Sequence, residues 1–177
     1  MSTTQDRTAQ DRTSQPRSEA EVGVWDVAAT VNDPEIPVLS IADLGILRDA
    51  RLEGDGTAVV VITPTYSGCP AMDTITADVT AALHAAGHSR ARVETVLHPA
   101  WTTDWMTERG KDKLREYGIA PPTGQAAVGP VRVGLSVKCP RCDSPSTREL
   151  TRFGSTACKA LYQCQDCLEP FDHFKVH

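Results

Sequence analysis

Apolar residues first recur at helical spacing around residue 24, where Val24, Trp25, Ala28 and Val31 fall on one stripe. Ser18 and Glu21 stand just upstream at capping-box spacing, where each side chain can satisfy an amide that the first helical turn leaves unpaired. Order is therefore expected to begin at Ser18, and Asn32-Asp33-Pro34 is expected to end the helix, because a residue before proline is pushed out of the α region. The pattern then changes period. Residues 46–53 and 57–63 read as strands around Asp55-Gly56, a pair that supplies the positive φ angles of a tight hairpin. Ala58-Val-Val-Val-Ile62 is apolar on both faces, as expected of a central strand covered on two sides. Helical spacing returns over 70–86, with Met72, Ile75, Val79, Ala82, Leu83 and Ala86 on one stripe and Gly87 placed to cap it. A third strand over 91–97 would complete a right-handed βαβ crossover, and a short helix around 108–117 would close the domain. The expectation is a small α/β (α+β) domain over 18–120, with a three-stranded mixed sheet and flanking helices.

The ends of the chain read differently. The first seventeen residues are almost entirely polar, repeat Gln-Asp-Arg-Thr at 5–8 and 10–13, and have nothing to bury, so a disordered extension is expected. Pro121-Pro122-Thr123-Gly124 through Gly129-Pro130 reads as a linker over 121–135. Beyond it, Cys139-Pro-Arg-Cys142 and Cys164-Gln-Asp-Cys167 form two C-x2-C pairs separated by twenty-one residues. Each pair can bring two thiolates to neighbouring corners of a tetrahedron. A hairpin of 148–153 and 159–163 around Gly154-Ser155 would fill the gap, giving a C-terminal zinc ribbon over 136–177. Tetrahedral sulfur coordination suits zinc or iron, with zinc favoured. So small a unit has little core, and its metal is expected to drive its folding.

Composition narrows the function classes. The chain has 177 residues, of which 40% are hydrophobic and 23% charged, with a formal net charge of -5. That acidity argues against nucleic acid as main partner. In the tail, six Lys plus Arg against five Asp plus Glu leave a balance of +1, too small for a phosphate-binding stripe. No run approaches the ~18 apolar residues of a membrane span. No signal-peptide core is evident, so a cytoplasmic protein is the simplest reading. In a reducing compartment, six cysteines point to metal or reactive thiols rather than disulfides. No Glu-x-x-His pair, G-x-G-x-x-G or Walker loop occurs, so no catalytic activity of its own is expected.

Several further residues invite chemistry. Thr63-Pro-Thr-Tyr-Ser-Gly-Cys69-Pro70 joins the central strand to the second helix, which places Cys69 at or beside a helix N-cap. Amides and the helix dipole there favour a thiolate or another anion. Cys69 is a candidate metal-handling thiol, with packing in the junction as the alternative. Asp33, Glu35 and Asp43 serve either turn formation or, for Asp43, a position facing Cys69 across the open end of the sheet. Cys158 reads as a small buried side chain or an exchanging ligand, and His173 and His177 are redundant beside four sulfurs. Trp101 and Trp105 form either a partner surface, towards which their position leans, or a cover for the domain's own core.

Taken together, Asp33-Pro-Glu-Ile-Pro37, Asp43-Leu-Gly45, Tyr66-Ser-Gly-Cys-Pro70 and Trp101-Thr-Thr-Asp-Trp105 resemble the PaaD-type subunit of bacterial phenylacetyl-CoA epoxidase. The tail from Phe153-Gly-Ser-Thr-Ala-Cys-Lys-Ala-Leu-Tyr162 through Cys164 to Pro170-Phe-Asp172 carries the same resemblance. It implies a domain like that of SufT-type iron–sulfur assembly proteins followed by a zinc-ribbon-like tail. It also implies an accessory role in phenylacetate catabolism beside a di-iron oxygenase and its flavin and iron–sulfur reductase. By this resemblance Cys69 matches the family cysteine before the second helix, with a transient iron or iron–sulfur cluster as its cargo. The four paired cysteines match the ribbon ligands. The implied partners are the other epoxidase subunits and the reductase, with a homodimer left open. The alternatives are a stable structural or electron-transfer subunit and, further off, a nucleic-acid-binding ribbon. Family C-termini often carry another cysteine where this chain reads Phe174-Lys-Val176-His177.

Overall fold

The computed structural model describes residues 18–66, 68–123 and 136–176. The expected disordered extension, most of the expected linker and His177 lie outside the described residues.

Helix α1 spans Glu19–Ala28 and opens on a reciprocal capping box: the Glu21 amide donates to Ser18 Oγ and the Ser18 amide donates to Glu21 Oε2 at 2.9 Å. Its Val24 and Ala28 are buried. The helix stops four residues before Asn32, where proline was expected to end it. Beyond the Ala29 cap, Asn32 bridges to Ser40, and the Asp33 carboxylate accepts the amides of Glu35 and Ile36, both at 2.8 Å. The Ile41 amide donates to the Val31 carbonyl and the Asp33 amide to the Leu39 carbonyl, so residues 31–33 are paired with chain beyond Pro37 and are not available to continue the helix.

Strand β1 (Leu47–Leu52) pairs antiparallel with β2 (Ala58–Ile62), and β2 pairs parallel with β3 (Ala91–Thr95) across helix α2 (Ala71–Ala85). This is the expected three-stranded mixed sheet, in the order β1-β2-β3. Ala58, Val60 and Ile62 join Val24, Ala28, Ile75, Val79 and Leu83 in the apolar core under α1 and α2. The opposite face of β2 is covered by a charge lattice rather than by helices. Val59 lies between Arg51 and Arg92 and Val61 between Asp49 and Glu94 in register, while Arg51 and Arg92 both reach Glu94, at 2.9 and 3.0 Å. Arginine stems can bury apolar surface while their heads stay solvated and paired.

After β3, a single 3-10 turn (Thr103–Trp105) leads to α3 (Glu108–Tyr117), capped by Gly118 at φ 91°. The chain then forms β4 (Ile119–Ala120), which pairs parallel with β7 (Pro170–Phe174) at the far end of the sequence. The second sheet runs β4-β7-β6-β5, with β5 at Thr147–Thr151 and β6 at Lys159–Cys164. The expected ribbon hairpin is β5–β6, but the sheet extends beyond it through β7 to a strand placed before the linker. Phe174 meets Trp101 edge-on at 6.2 Å, and both belong to the first domain's core.

Gly45 sits at the crossing of these parts. Its φ is +71°, and a Cβ there would stand 2.5 Å from the Trp105 carbonyl oxygen. Gly45→Ala is expected to lower the unfolding free energy by more than about 1 kcal/mol in denaturant titration. Gly23→Ala lies in an exposed stretch of α1 with nothing within 4 Å of the added carbon, and is expected to raise stability by about 0.5–1 kcal/mol.

Candidate functional site

Two tight turns gather the paired cysteines. Arg141 donates its amide to Cys139 Sγ and Cys167 donates its amide to Cys164 Sγ, the arrangement that folds a C-x2-C turn around its first sulfur. Positive φ angles at Asp143 (59°) and Leu168 (64°) turn the chain away after each pair. The four sulfurs lie within 4.8 Å of one another, with Cys139–Cys167 at 3.7 Å and Cys142–Cys164 at 3.5 Å. Four sulfurs tetrahedrally placed about 2.3 Å from one centre are separated by roughly 3.8 Å, so this set fits a single ion. A polynuclear cluster would stand between the sulfurs and hold them farther apart. The thiols share their protons unequally. Cys164, favoured first by the amide of Cys167, is lowered to about 7. Cys142 accepts the Ser144 amide, which favours its thiolate, yet contact with Cys164 and its other neighbours pushes it up to about 12. Metal binding must therefore displace protons. Ser144 Oγ donates to Asp166, tying the two turns together.

His173 is buried outside this set. One ring nitrogen meets the Ala120 carbonyl at 3.2 Å, and its ring packs edge-on against Tyr162 at 5.3 Å. Burial first, against the Ala120 bond and the Glu149 charge, pushes its pKa down. It thus serves the β4–β7 seam as a neutral ring.

The second candidate lies where β2 hands over to α2. Cys69 is half-buried and immediately precedes Pro70, the N-cap, which supplies no side-chain cap to the helix amides. The Cys69 amide bonds the Tyr66 carbonyl at 3.2 Å, folding the corner. Asp33 and Glu35 share an electrostatic neighbourhood with Lys159 of β6, whose side chain is itself buried. Burial first raises the pKa of Asp33, against two backbone amides and Lys159. Burial and then the Asp33 charge raise that of Glu35. The Tyr66 phenol is pushed up by burial and then by Cys69, Glu35 and Cys158. Cys158 is buried in the first domain's core, and that burial, against its bond with Thr156, pushes its thiol up, whereas Cys139 and Cys164 belong to the ribbon's own small cluster. Tyr66 and Lys159 carried no assigned role in sequence reasoning. Tyr66 stands in the Cys69 loop itself, whereas only the packing of the two units brings Lys159 into the electrostatic surroundings of Asp33 and Glu35.

Asp43 is fully buried and engaged with α3. Its Oδ2 accepts from Lys113 Nζ at 2.7 Å and its Oδ1 pairs with Arg109 at 2.8 Å. Burial alone would raise its pKa, but Lys113, Arg109 and the Ser40 amide hold it at about 2. The structure therefore gives this carboxylate a structural set of partners. Trp101 is likewise committed within the chain, being 5% exposed, packed on Phe174 and donating its indole N–H to the Leu44 carbonyl at 2.9 Å. Trp105 is half-buried, with the Arg48 guanidinium 3.6 Å above its ring.

Two family models match: an iron-sulfur cluster assembly protein over residues 21–95 and the PaaD zinc beta ribbon domain over 124–175. A protein of Escherichia coli (strain K12), named as one subunit of a "Putative 1,2-phenylacetyl-CoA epoxidase", is 47% identical over 152 residues, which cover 86% of this chain and 90% of that protein. The chain belongs to the PaaD family. Its first domain is also similar to the Fe-S protein maturation auxiliary factor of Porphyromonas gingivalis (strain ATCC BAA-308 / W83). That similarity is 33% identity over 97 residues, 54% of this chain and 91% of that protein. Among solved structures, a domain of unknown function (DUF59) from Bacillus anthracis superposes with a TM-score of 0.50 at 28% identity, covering 53% of this chain and 90% of that one. The chain thus joins a domain that matches an iron-sulfur cluster assembly family to one that matches the PaaD zinc beta ribbon, and its four sulfurs are spaced for a single metal ion. Among the described residues no helix is long and apolar enough to cross a membrane.

Elemental analysis is expected to find one metal ion per chain, and its removal by chelator is expected to abolish the ordered ribbon in near-ultraviolet dichroism. Cys164→Ser should do the same without chelator. The depressed pKa of Asp43 means that its contribution to stability is complete above its unfolded value of 3.8 and is lost as pH falls toward about 2. Asp43→Asn should flatten stability over that acid window and cost about 2 kcal/mol at neutral pH, measured by denaturant titration.

Proposed function

We propose that this protein is a non-catalytic accessory subunit of the phenylacetyl-CoA epoxidase system, assisting maturation of an iron or iron–sulfur centre in the oxygenase or its reductase. The observation that carries this reading is the Cys69 corner. A half-buried thiol stands at the uncapped start of α2, beside the Tyr66 phenol on which it and Glu35 both act. A thiol suits soft and borderline metal ions, and partial exposure suits an ion that must be passed on. The likeness of the first domain to an Fe-S maturation factor supports the same chemistry, and the relative's name supplies the pathway. In this reading the four-sulfur site, taken by zinc, is structural, and the ribbon it folds is a docking module. The oxygenase and reductase are the recipients of the metal.

The test is the iron content of the epoxidase and reductase purified from cells with and without this protein. Iron-poor recipients in its absence are expected, and the deficient one identifies the centre served. Cys69→Ser is expected to fold normally, keep its ribbon metal and fail to restore iron. Recipients fully loaded with iron in the absence of this protein would exclude maturation.

A further inference from the structure

The turn between β5 and β6 holds an aromatic ring out in water. Phe153 is 70% exposed, more than any other large apolar side chain among the described residues. Its turn is pinned. The Phe153 amide donates to Thr151 Oγ1 at 3.2 Å and the Gly154 amide to the Lys159 carbonyl at 2.8 Å. A Cβ on Gly154 would stand 2.7 Å from Asp172 Oδ1 and 3.2 Å from Lys159 Cβ, so the chain here lies flush on β6 and β7. An aromatic side chain on a fixed turn gives up little freedom when a partner covers it, which suits it to anchor an interface.

The charges around the ring say what would cover it. Lys175 Nζ lies 5.1 Å from the ring centroid and donates to the Arg152 carbonyl at 3.3 Å. Among the described residues Lys175 forms no ion pair, and the Arg152 guanidinium, on a side chain 83% exposed, has only Glu149 at 3.7 Å. The nearby carboxylates are already engaged. Glu149 accepts the Tyr162 hydroxyl at 3.2 Å, and Asp172 accepts Ser155 Oγ at 3.0 Å and pairs with Lys159 at 3.5 Å. In a chain of net charge -5, this end of the ribbon therefore sets two cations beside a bare ring. The register of β5 on β6 slips between Glu149 and Thr151, which leaves the exposed Leu150 without a partner there. A bulge in an edge strand disfavours addition of a further strand, so recognition falls to side chains rather than to backbone.

Resting on the reading of the ribbon as a docking module, we propose that Phe153, Arg152 and Lys175 form the surface that engages the recipient protein. It takes a segment in which a carboxylate stands beside an apolar side chain. The apolar group covers the ring, and the carboxylate pairs with Lys175 and Arg152. An ion pair on open surface contributes little, whereas one sheltered by an apolar contact is screened less by water and salt. Two cations are too few to hold an anionic bilayer, for which clusters of roughly four to eight are typical.

The test measures binding of the zinc-loaded full chain to the purified oxygenase and to the purified reductase of the epoxidase system, by biolayer interferometry at two salt concentrations. Binding to one of them is expected, and it should weaken as salt rises. Phe153→Ser and Lys175→Glu should each weaken it at least about tenfold, with ribbon zinc and thermal melting unchanged. Should Lys175→Glu disturb the turn, Arg152→Glu carries the charge test and is expected to slow association, most at low salt. Unchanged binding in Phe153→Ser and in the charge variants, or no binding to either recipient, would overturn this surface. So would a dimer of this chain, or binding to phosphatidylserine vesicles, that Phe153→Ser abolishes, because the occupant would then be a second copy or a membrane. Recipients fully loaded with iron in the absence of this protein would overturn the maturation reading by itself, leaving the binding measurements to judge the surface.

Discussion

The burial of the Asp43 carboxylate is the constraint on which the arrangement of this molecule depends. A charge removed from water must find partners, and Asp43 finds them on a helix more than sixty residues away, in Lys113 and Arg109. The Thr107 amide bonds the Asp43 carbonyl at 2.9 Å, and Gly110 passes so close that a Cβ would lie 2.9 Å from that same oxygen. These contacts fix where α3 starts and how it leans. Gly118 ends α3 and the next two residues are β4, so fixing α3 fixes the strand on which the ribbon sheet is built. The ribbon's orientation is thus set by an ion cluster in the other domain as much as by its metal turns.

From β4 the consequences reach the thiols. Pairing with β7 brings Phe174 onto Trp101, and β6 beside it carries Cys158 and Lys159 to the Asp33–Glu35 turn. Lys159 is buried between charges of both domains. It pairs with Asp172 of its own sheet at 3.5 Å and faces Asp33 across the junction. Removing such a cation from water is tolerable only because carboxylates surround it. The acidic turn that a metal-handling site would use is thereby also an element of docking. Charge at this turn and position of the ribbon are therefore coupled through Lys159.

Legibility in the sequence followed the range of the interactions. Local patterns were readable: the Ser18–Glu21 capping box, the Asp55-Gly56 hairpin and the stripe of α2 each lie within a few residues of their cause. The four sulfurs were readable because C-x2-C spacing is itself a geometric statement. The early end of α1 was not, because Val31 and Asp33 are paired with chain beyond Pro37, through the Ile41 amide to the Val31 carbonyl and the Asp33 amide to the Leu39 carbonyl. Nor was the two-residue β4, whose existence depends on a strand fifty residues further on. The roles of Asp43, Trp101 and Cys158 were open for the same reason. Each side chain acts through partners that no spacing rule connects to it.

The ribbon cysteines and Cys69 differ in what their surroundings allow. In the ribbon, tight turns, tetrahedral sulfur spacing and small distances leave an ion no free position, so the metal is part of the fold. At the corner, a single half-exposed thiol stands at the uncapped start of α2, so that in the proposed role an ion held there keeps coordination positions for the ligands of its recipient, which a closed four-sulfur shell does not.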